Sequence, residues 1–397
     1  VPSLPTMTES DTQPSLASNV SSTDVEFPPF EPHPMFRGGH AQTLVGFLAK
    51  GKPIVLPMVE RSELLLDDGD KLVLLESAPR NCTVDRPIVV LVHGLAGHAE
   101  SDYQIRFTDR LLRLGLRVVR VNLRSAGSGL GLSKGIYHGG RSEDIRAVAE
   151  HLARRFPEAP IGLVGLSLGG NIVLKLAGEA ADRPVPNLDC VLAANPPIDL
   201  AVCCSNMRRF PLTLYDRFFV RQLIADIQRL HTMVPDLGPV DLAKVRSMLE
   251  FDQHYTAPRN GFSGAMDYYR KASAAPYIPQ IQVPGLVVHA LDDPFIPAEP
   301  FFSVNFPCQI RLELALRGGH LGFVSRQRWE TDRRWLDARF ADWLARRWGR
   351  SEDAAGVLLI PQENPESTTI PPRIENQVLP CPDRNTQPTN SPRPSTS

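Results

Sequence analysis

The stretch IGLVGLSLGGNIVLKLAGEA, residues 161–180, decides the fold. Its first six residues form an uninterrupted apolar run of strand length, and the residues from Gly169 to Ala180 read as a helix. Between the two, Gly165-Leu166-Ser167-Leu168-Gly169 leaves almost no chain in which to turn. A strand that passes into a helix this sharply forces the central serine into a strained backbone, and its flanks need glycine because a Cβ would strike neighbouring backbone. The reading is a nucleophile elbow, with the Ser167 hydroxyl exposed at the edge of a sheet and helix N–H groups beside it. At ordinary glycine and serine usage of about 7% each, G-x-S-x-G arises by accident in roughly one chain in ten of this length. The strand before it and the helix after it therefore carry the assignment.

Working outward, PIVVLV (87–92) is a continuous β-branched run of the kind buried on both faces in a parallel sheet, and RVVRVNL (117–123), CVLAAN (190–195), GLVVHAL (285–291) and QIRLELAL (309–316) read as further strands. Helical stripes over Ser101 to Leu114 and Ser142 to Phe156 alternate with them, and a terminal helix is expected from Gln327 to Trp348. SELLLDDGDKLVLLES (62–77) reads as an antiparallel hairpin, because Gly69 supplies the positive φ of a tight turn. The expected architecture is one mostly parallel, doubly wound α/β sheet of about eight strands. The segment at about 197–280 is patterned for helix without strand alternation, and reads as a cap inserted over the ligand-binding edge of the sheet. Residues 1–28 and 351–397 are rich in Ser, Thr and Pro and are expected to be disordered tails around a body at 29–350.

Composition excludes several classes. With 43 Lys plus Arg against 44 Asp plus Glu among 397 residues, the formal net charge is -1, which gives no footprint for nucleic acid. The six cysteines are scattered without metal-ligand spacing, so neither a metal nor a disulfide framework is expected, and a cytoplasmic location fits. The adjacent Cys203 and Cys204 read as small buried hydrophobes. No apolar run is long enough to span a bilayer, and the first 28 residues lack the pattern of a secretory signal. Peripheral membrane contact stays open, and nothing in the sequence fixes the oligomeric state.

A serine hydroxyl is a weak nucleophile at neutral pH and needs an imidazole to accept its proton, held in one tautomer by a carboxylate. Where the serine sits on such an elbow, the acid follows a late strand and the histidine follows the last one. Asp292-Asp293-Pro294-Phe295-Ile296-Pro297 fills the first slot, with Asp293 favoured in a loop stiffened by its prolines. Gly318-Gly319-His320-Leu321-Gly322-Phe323 fills the second, its glycines allowing a tight loop that returns the His320 ring to Ser167. The oxyanion donors are expected to be the backbone N–H groups of Leu168 and of Leu95, which follows the strand ending at His93. His93 reads as a brace for its loop, and His231, His254 and His289 as structural or surface residues.

Taken together, FEPHPMFRGGHAQTL, VLVHGLAGHAES, NLRSAGSG, GLSLGGN, FDQHYTAPRNGFSGAMDYYRKAS, ALDDPFIP and GGHLGF resemble the YheT-like group of the α/β-hydrolase fold. These motifs run in order over about residues 29–346. The resemblance implies a triad of Ser167, Asp293 and His320, no cofactor, and hydrolysis of carboxylic esters with short to medium acyl chains or of glycerolipid esters. One departure is Gln253, where an acidic residue commonly stands. Acyl transfer to an alcohol would use the same triad. A non-catalytic binding protein is the reading from another class, and the filled triad positions argue against it.

Overall fold

A computed structural model describes residues 27–350, apart from 50, 52, 330 and 331. Helix α1 (Gly39–Leu48) leads into the hairpin β1 (Val59–Leu65) and β2 (Lys71–Ser77), then β3 (Ile88–Val92), α2 (Asp102–Arg113), β4 (Arg117–Asn122) and α3 (Ser142–Arg155). Strand β5 (Ile161–Leu166), α4 (Leu168–Glu179) and β6 (Leu188–Ala194) follow. The insertion then holds α5 (Leu200–Met207), α6 (Thr213–Met233), α7 (Met248–Phe251), a π-helical turn at Asp252–Thr256, α8 (Ala257–Arg259) and α9 (Ala265–Ala272). The chain returns through β7 (Gly285–Ala290), α10 (Glu299–Ser303), β8 (Ile310–Ala315), β9 (Val324–Trp329), β10 (Asp332–Arg334) and α11 (Trp335–Arg347).

Eight strands form one sheet in the order β1-β2-β4-β3-β5-β6-β7-β8, parallel throughout except where β2 runs against both of its neighbours. Alternation along β3 shows why its sequence is apolar without a break. Val90 and Val92 face the core shared with α3 and α4, whereas Val89 and Leu91 face the core shared with α2 and α11. Helices on both faces leave the carboxyl ends of β3, β5, β6, β7 and β8 as the place where loops gather.

The expected helix from Gln327 is corrected, because that stretch forms β9 and β10, and α11 starts only at Trp335. β9 and β10 pair with each other as an antiparallel hairpin, and a second partner comes from far away in sequence. Residues 31–33 lie along β9, with the Val324 carbonyl accepting from the His33 N–H at 2.9 Å and the Glu31 carbonyl accepting from the Arg326 N–H at 2.8 Å. Phe27 and Pro28, assigned to the tail by composition, take part in this packing. Phe27 stacks on Trp329 at 4.8 Å, and the Pro28 carbonyl accepts from the Trp335 indole at 2.9 Å. The remainder of both expected tails lies outside the described residues.

Candidate active site

The elbow forms where β5 meets α4. Ser167 has φ 54° and ψ -122°, a left-handed conformation that a side-chain-bearing residue adopts only under constraint. The constraint is crowding: a Cβ at Gly165 would overlap the backbone of Gly169, and a Cβ at Gly169 would overlap the Val92 carbonyl. Both flanking positions are therefore open only to glycine, and β3, β5 and α4 meet at contact distance behind the serine.

Three side chains from distant parts of the chain meet there. His320 Nε2 lies 2.9 Å from Ser167 Oγ, and His320 Nδ1 lies 2.7 Å from Asp293 Oδ2. Burial by itself would raise the Asp293 pKa, but the charge and hydrogen bond of His320, with the Phe295 N–H also contributing, hold it below the ordinary carboxylate value. Asp293 is thus an acceptor at neutral pH. It also accepts from the N–H groups of Phe295 at 2.8 Å and Ile296 at 3.1 Å. Nδ1 of His320 must then carry the proton, which leaves Nε2 free to accept the one on Ser167. The neighbouring Asp292 has a different task, accepting the Gly319 N–H at 2.8 Å and so bracing the histidine loop.

The loop after β3 is anchored on both sides of Leu95. The Tyr103 hydroxyl accepts the Gly94 N–H at 3.3 Å, and the Tyr137 hydroxyl accepts the Ala96 N–H at 2.8 Å. His93 braces the same loop, its Nε2 accepting the Leu123 N–H at 3.2 Å and its Nδ1 lying 2.8 Å from the Gly94 carbonyl. Burial pushes the His93 pKa down to about 4, so the ring is neutral. Neither the Leu95 N–H nor the Leu168 N–H donates a hydrogen bond among the described residues. Gly94 lies so close to the serine that a Cβ on it would stand 3.0 Å from Ser167 Cβ.

Several residues of the site were not singled out by sequence reasoning. Asn195, just after β6 with φ 43°, donates through Nδ2 to Asp293 Oδ2 at 2.5 Å and to the Gly319 carbonyl at 3.2 Å. Helix α1 packs so tightly on the histidine loop that a Cβ at Gly319 would overlap the Gly39 carbonyl, and one at Gly322 the Gln42 carbonyl. Thr43 Oγ1 accepts the His320 N–H at 2.8 Å, and Gln42 Oε1 accepts the Val324 N–H at 2.7 Å while its Nε2 donates back to the Val324 carbonyl at 3.1 Å. The only sequence signal for this clamp was the motif around His40. His40 itself faces the cap, with Nδ1 3.2 Å from the Tyr215 hydroxyl.

The remaining candidates fall elsewhere. His231 is held within the cap by the Gly238 carbonyl and the Tyr255 hydroxyl, and His289 is buried against Phe301 with its pKa lowered by burial to about 4. Cys203 and Cys204 are buried free thiols, and Cys204 Sγ lies 3.2 Å from the Tyr269 hydroxyl oxygen. Gln253 Oε1 accepts the Ala265 N–H at 2.9 Å and so caps α9. An open cleft of about 600 Å³ lies beside α9, lined in part by Asp199, Met266 and Tyr269, and includes none of Ser167, Asp293 or His320. The space above Ser167 is instead bounded by the cap: Leu95 packs on the cluster of Ile136, Val220, Leu223 and Ile227, and Phe295 lies between His320 and the Tyr215 and Phe219 rings of α6.

Comparison with known proteins agrees with this architecture. The family described as "alpha/beta hydrolase fold" matches residues 87–326. The chain is 32% identical over 332 residues to YheT of Escherichia coli strain K12, covering 82% of this chain and 95% of that protein. It is 27% identical over 310 residues to a monoacylglycerol lipase of Saccharomyces cerevisiae, covering 75% of this chain and 64% of the lipase. It is also 28% identical over 299 residues to phospholipase ABHD3 of Homo sapiens, covering 72% of this chain and 71% of the phospholipase. The elbow, the sheet order and these matches together establish that the chain belongs to the α/β-hydrolase fold family, in its YheT-like branch.

Proposed function

We propose that this protein is a serine carboxylesterase or lipase that cleaves carboxylic or glycerolipid esters of short to medium chain length through an acyl-enzyme on Ser167. The observation that carries the proposal is the continuous hydrogen-bonded path from Ser167 Oγ through the His320 ring to Asp293. In the first half-reaction Ser167 Oγ attacks the ester carbonyl carbon while its proton passes to His320 Nε2. The Leu95 and Leu168 N–H groups receive the negative charge that develops on the carbonyl oxygen. As the carbon–oxygen bond to the alcohol breaks, His320 returns the proton to the departing oxygen. Water then repeats the sequence on the acyl-enzyme, releasing the acid and restoring the serine. Asp293 stays ionised throughout and stabilises the imidazolium.

The apolar cap cluster beside Leu95 supports an acyl chain over a polar substrate, and two relatives carry the names monoacylglycerol lipase and phospholipase. On this reading the catalytic body runs over about residues 29–350 with its cap at about 197–280, and it works in the cytoplasm. The test is labelling with a fluorophosphonate, followed by hydrolysis of p-nitrophenyl esters of graded chain length and of monoacylglycerols. Labelling of wild type and of Ser167→Ala alike, or turnover that survives that substitution, overturns the proposal.

A further inference from the structure

The outward face of the cap carries an arrangement that ester chemistry at Ser167 does not require. Helix α6 is preceded by Arg208-Arg209-Phe210-Pro211, and on its exposed side Leu214 and Phe218 stand four residues apart, hence on one stripe. Phe210 is 84% exposed, Leu214 60% and Phe218 47%. Arg217 and Arg221 repeat the same spacing beside that stripe, and with Arg208 and Arg209 all four guanidinium groups are on exposed residues. None of the four makes an ion pair within 4.0 Å among the described residues. From Arg208 to Arg221 the single acid is Asp216, and it is buried, accepting the Met248 N–H at 3.0 Å, while Asp226 further along α6 pairs with Arg229 at 3.6 Å.

The surface continues onto α1. His40 stacks on Tyr215 at 5.8 Å, and along the helix from His40 lie Leu44, Phe47 and Leu48, all exposed, with no acid anywhere in α1. A chain with a net charge of -1 thus shows one face on which exposed apolar side chains are interleaved with four arginines that make no ion pair among the described residues. Arginines interleaved with Leu and Phe on one helix face match a phospholipid surface, where the rings enter the acyl layer while the guanidinium groups reach the phosphates. An acidic protein would answer the arginines but leave the apolar stripe unexplained. The face also adjoins the candidate active site, since Tyr215 packs on Phe295 at 4.9 Å and Phe295 on His320 at 5.0 Å.

We propose that the Arg208–Arg221 corner of the cap, extended by the exposed side of α1, docks on an anionic phospholipid surface. Phe210, Leu214 and Phe218 enter the acyl layer, and Arg208, Arg209, Arg217 and Arg221 pair with lipid phosphates. An ester lipid held in that surface then reaches Ser167 by way of the junction between α1 and α6. Only this last step rests on the proposed function.

The experiment is cosedimentation of the full chain with vesicles of phosphatidylcholine, and of phosphatidylcholine containing phosphatidylglycerol, with p-nitrophenyl butyrate hydrolysis measured on the same samples. Binding is expected to be at least about tenfold tighter to the anionic vesicles and to weaken with added salt. Arg217→Glu/Arg221→Glu removes the preference, Phe210→Ser/Phe218→Ser lowers binding to both vesicles, and both variants keep the turnover of the soluble ester. Failure of wild type to bind either vesicle, or charge-reversed protein that binds as tightly as wild type, overturns the proposal. So does wild type that forms a dimer dispersed by Phe218→Ser, which assigns the face to a second copy. Vesicle binding without ester turnover sinks the proposed function and leaves docking standing, whereas turnover without binding does the reverse.

Discussion

The hydroxyl of Thr43 accepts the backbone N–H of His320 at 2.8 Å while donating to the Gly39 carbonyl at 2.8 Å. One side chain near the start of the described chain therefore fixes the loop that carries the imidazole, 277 residues further on. Thr43→Val keeps the shape and removes both hydrogen bonds, leaving the His320 N–H without a partner, at a cost of about 1–3 kcal/mol. The expected outcome is a kcat reduced about ten- to a hundredfold with KM nearly unchanged, because displacement of the base harms the transition state and not substrate binding. Thr43→Ser should restore most of the rate. Steady-state kinetics with a p-nitrophenyl ester on all three proteins decides it, and a Val variant with wild-type kcat removes the positioning role.

Asn195 presents its amide to Asp293 Oδ2 at 2.5 Å and to the Gly319 carbonyl at 3.2 Å, so it links the acid to the histidine loop. Asn195→Ala should lower kcat by about tenfold, through loss of a charge-assisted bond worth about 1.5–3 kcal/mol. Asn195→Asp should be worse than Ala, because a second carboxylate at that distance raises the pKa of Asp293. The order of the two rates is the readout.

For Asp293→Asn the expectation is a larger loss, about 10⁴-fold in kcat, because an amide can hold the imidazole in the wrong tautomer. The contribution of Asp293 to stability runs in the ordinary carboxylate direction. Its folded pKa is lowered, so the stabilisation is present above the ordinary value of 3.8 and is lost as the pH falls through the folded value. Urea midpoints of wild type and Asp293→Asn should therefore converge as the solution is acidified below that value.

Asp252 behaves in the opposite sense. It sits in the π-helical turn with Oδ2 accepting from the Tyr269 hydroxyl at 2.7 Å, and burial raises its pKa to about 6. The folded protein binds that proton more tightly than the unfolded chain does. The cost of ionising Asp252 is thus absent below about pH 4 and reaches about 3 kcal/mol above pH 6. Asp252→Asn escapes that cost, so the difference in Tm between variant and wild type should grow as the pH rises from 4 to 7 and then level off. A difference that stays flat over this range counts against a buried, titrating Asp252.

Much of this architecture could be read without coordinates because its strongest determinants are local. The apolar runs of β3, β5, β6 and β7 match the burial of central strands on both faces, and Gly165-Leu166-Ser167-Leu168-Gly169 states the elbow in five residues. The order of serine, acid and histidine along the ladder singled out Ser167, Asp293 and His320 before any distance was known. Local pattern failed where a distant partner decided the outcome. Residues 324–329 pair with β10 in a short hairpin and are bridged on the other side by residues 31–33, and α1 acquired its importance from Gly319, His320 and Val324, which no window around residue 40 contains. Sequence favoured Asp293 over Asp292, and the contacts that separate the two carboxylates are tertiary, Asp293 facing the His320 ring and Asp292 the Gly319 N–H. Sequence by itself determined which residue types stand at the ends of which strands, because backbone sterics and burial act over a few neighbouring positions. Only the tertiary structure decided which of them touch, because a hydrogen bond is made or lost within half an ångström and that distance is set by packing across the whole sheet.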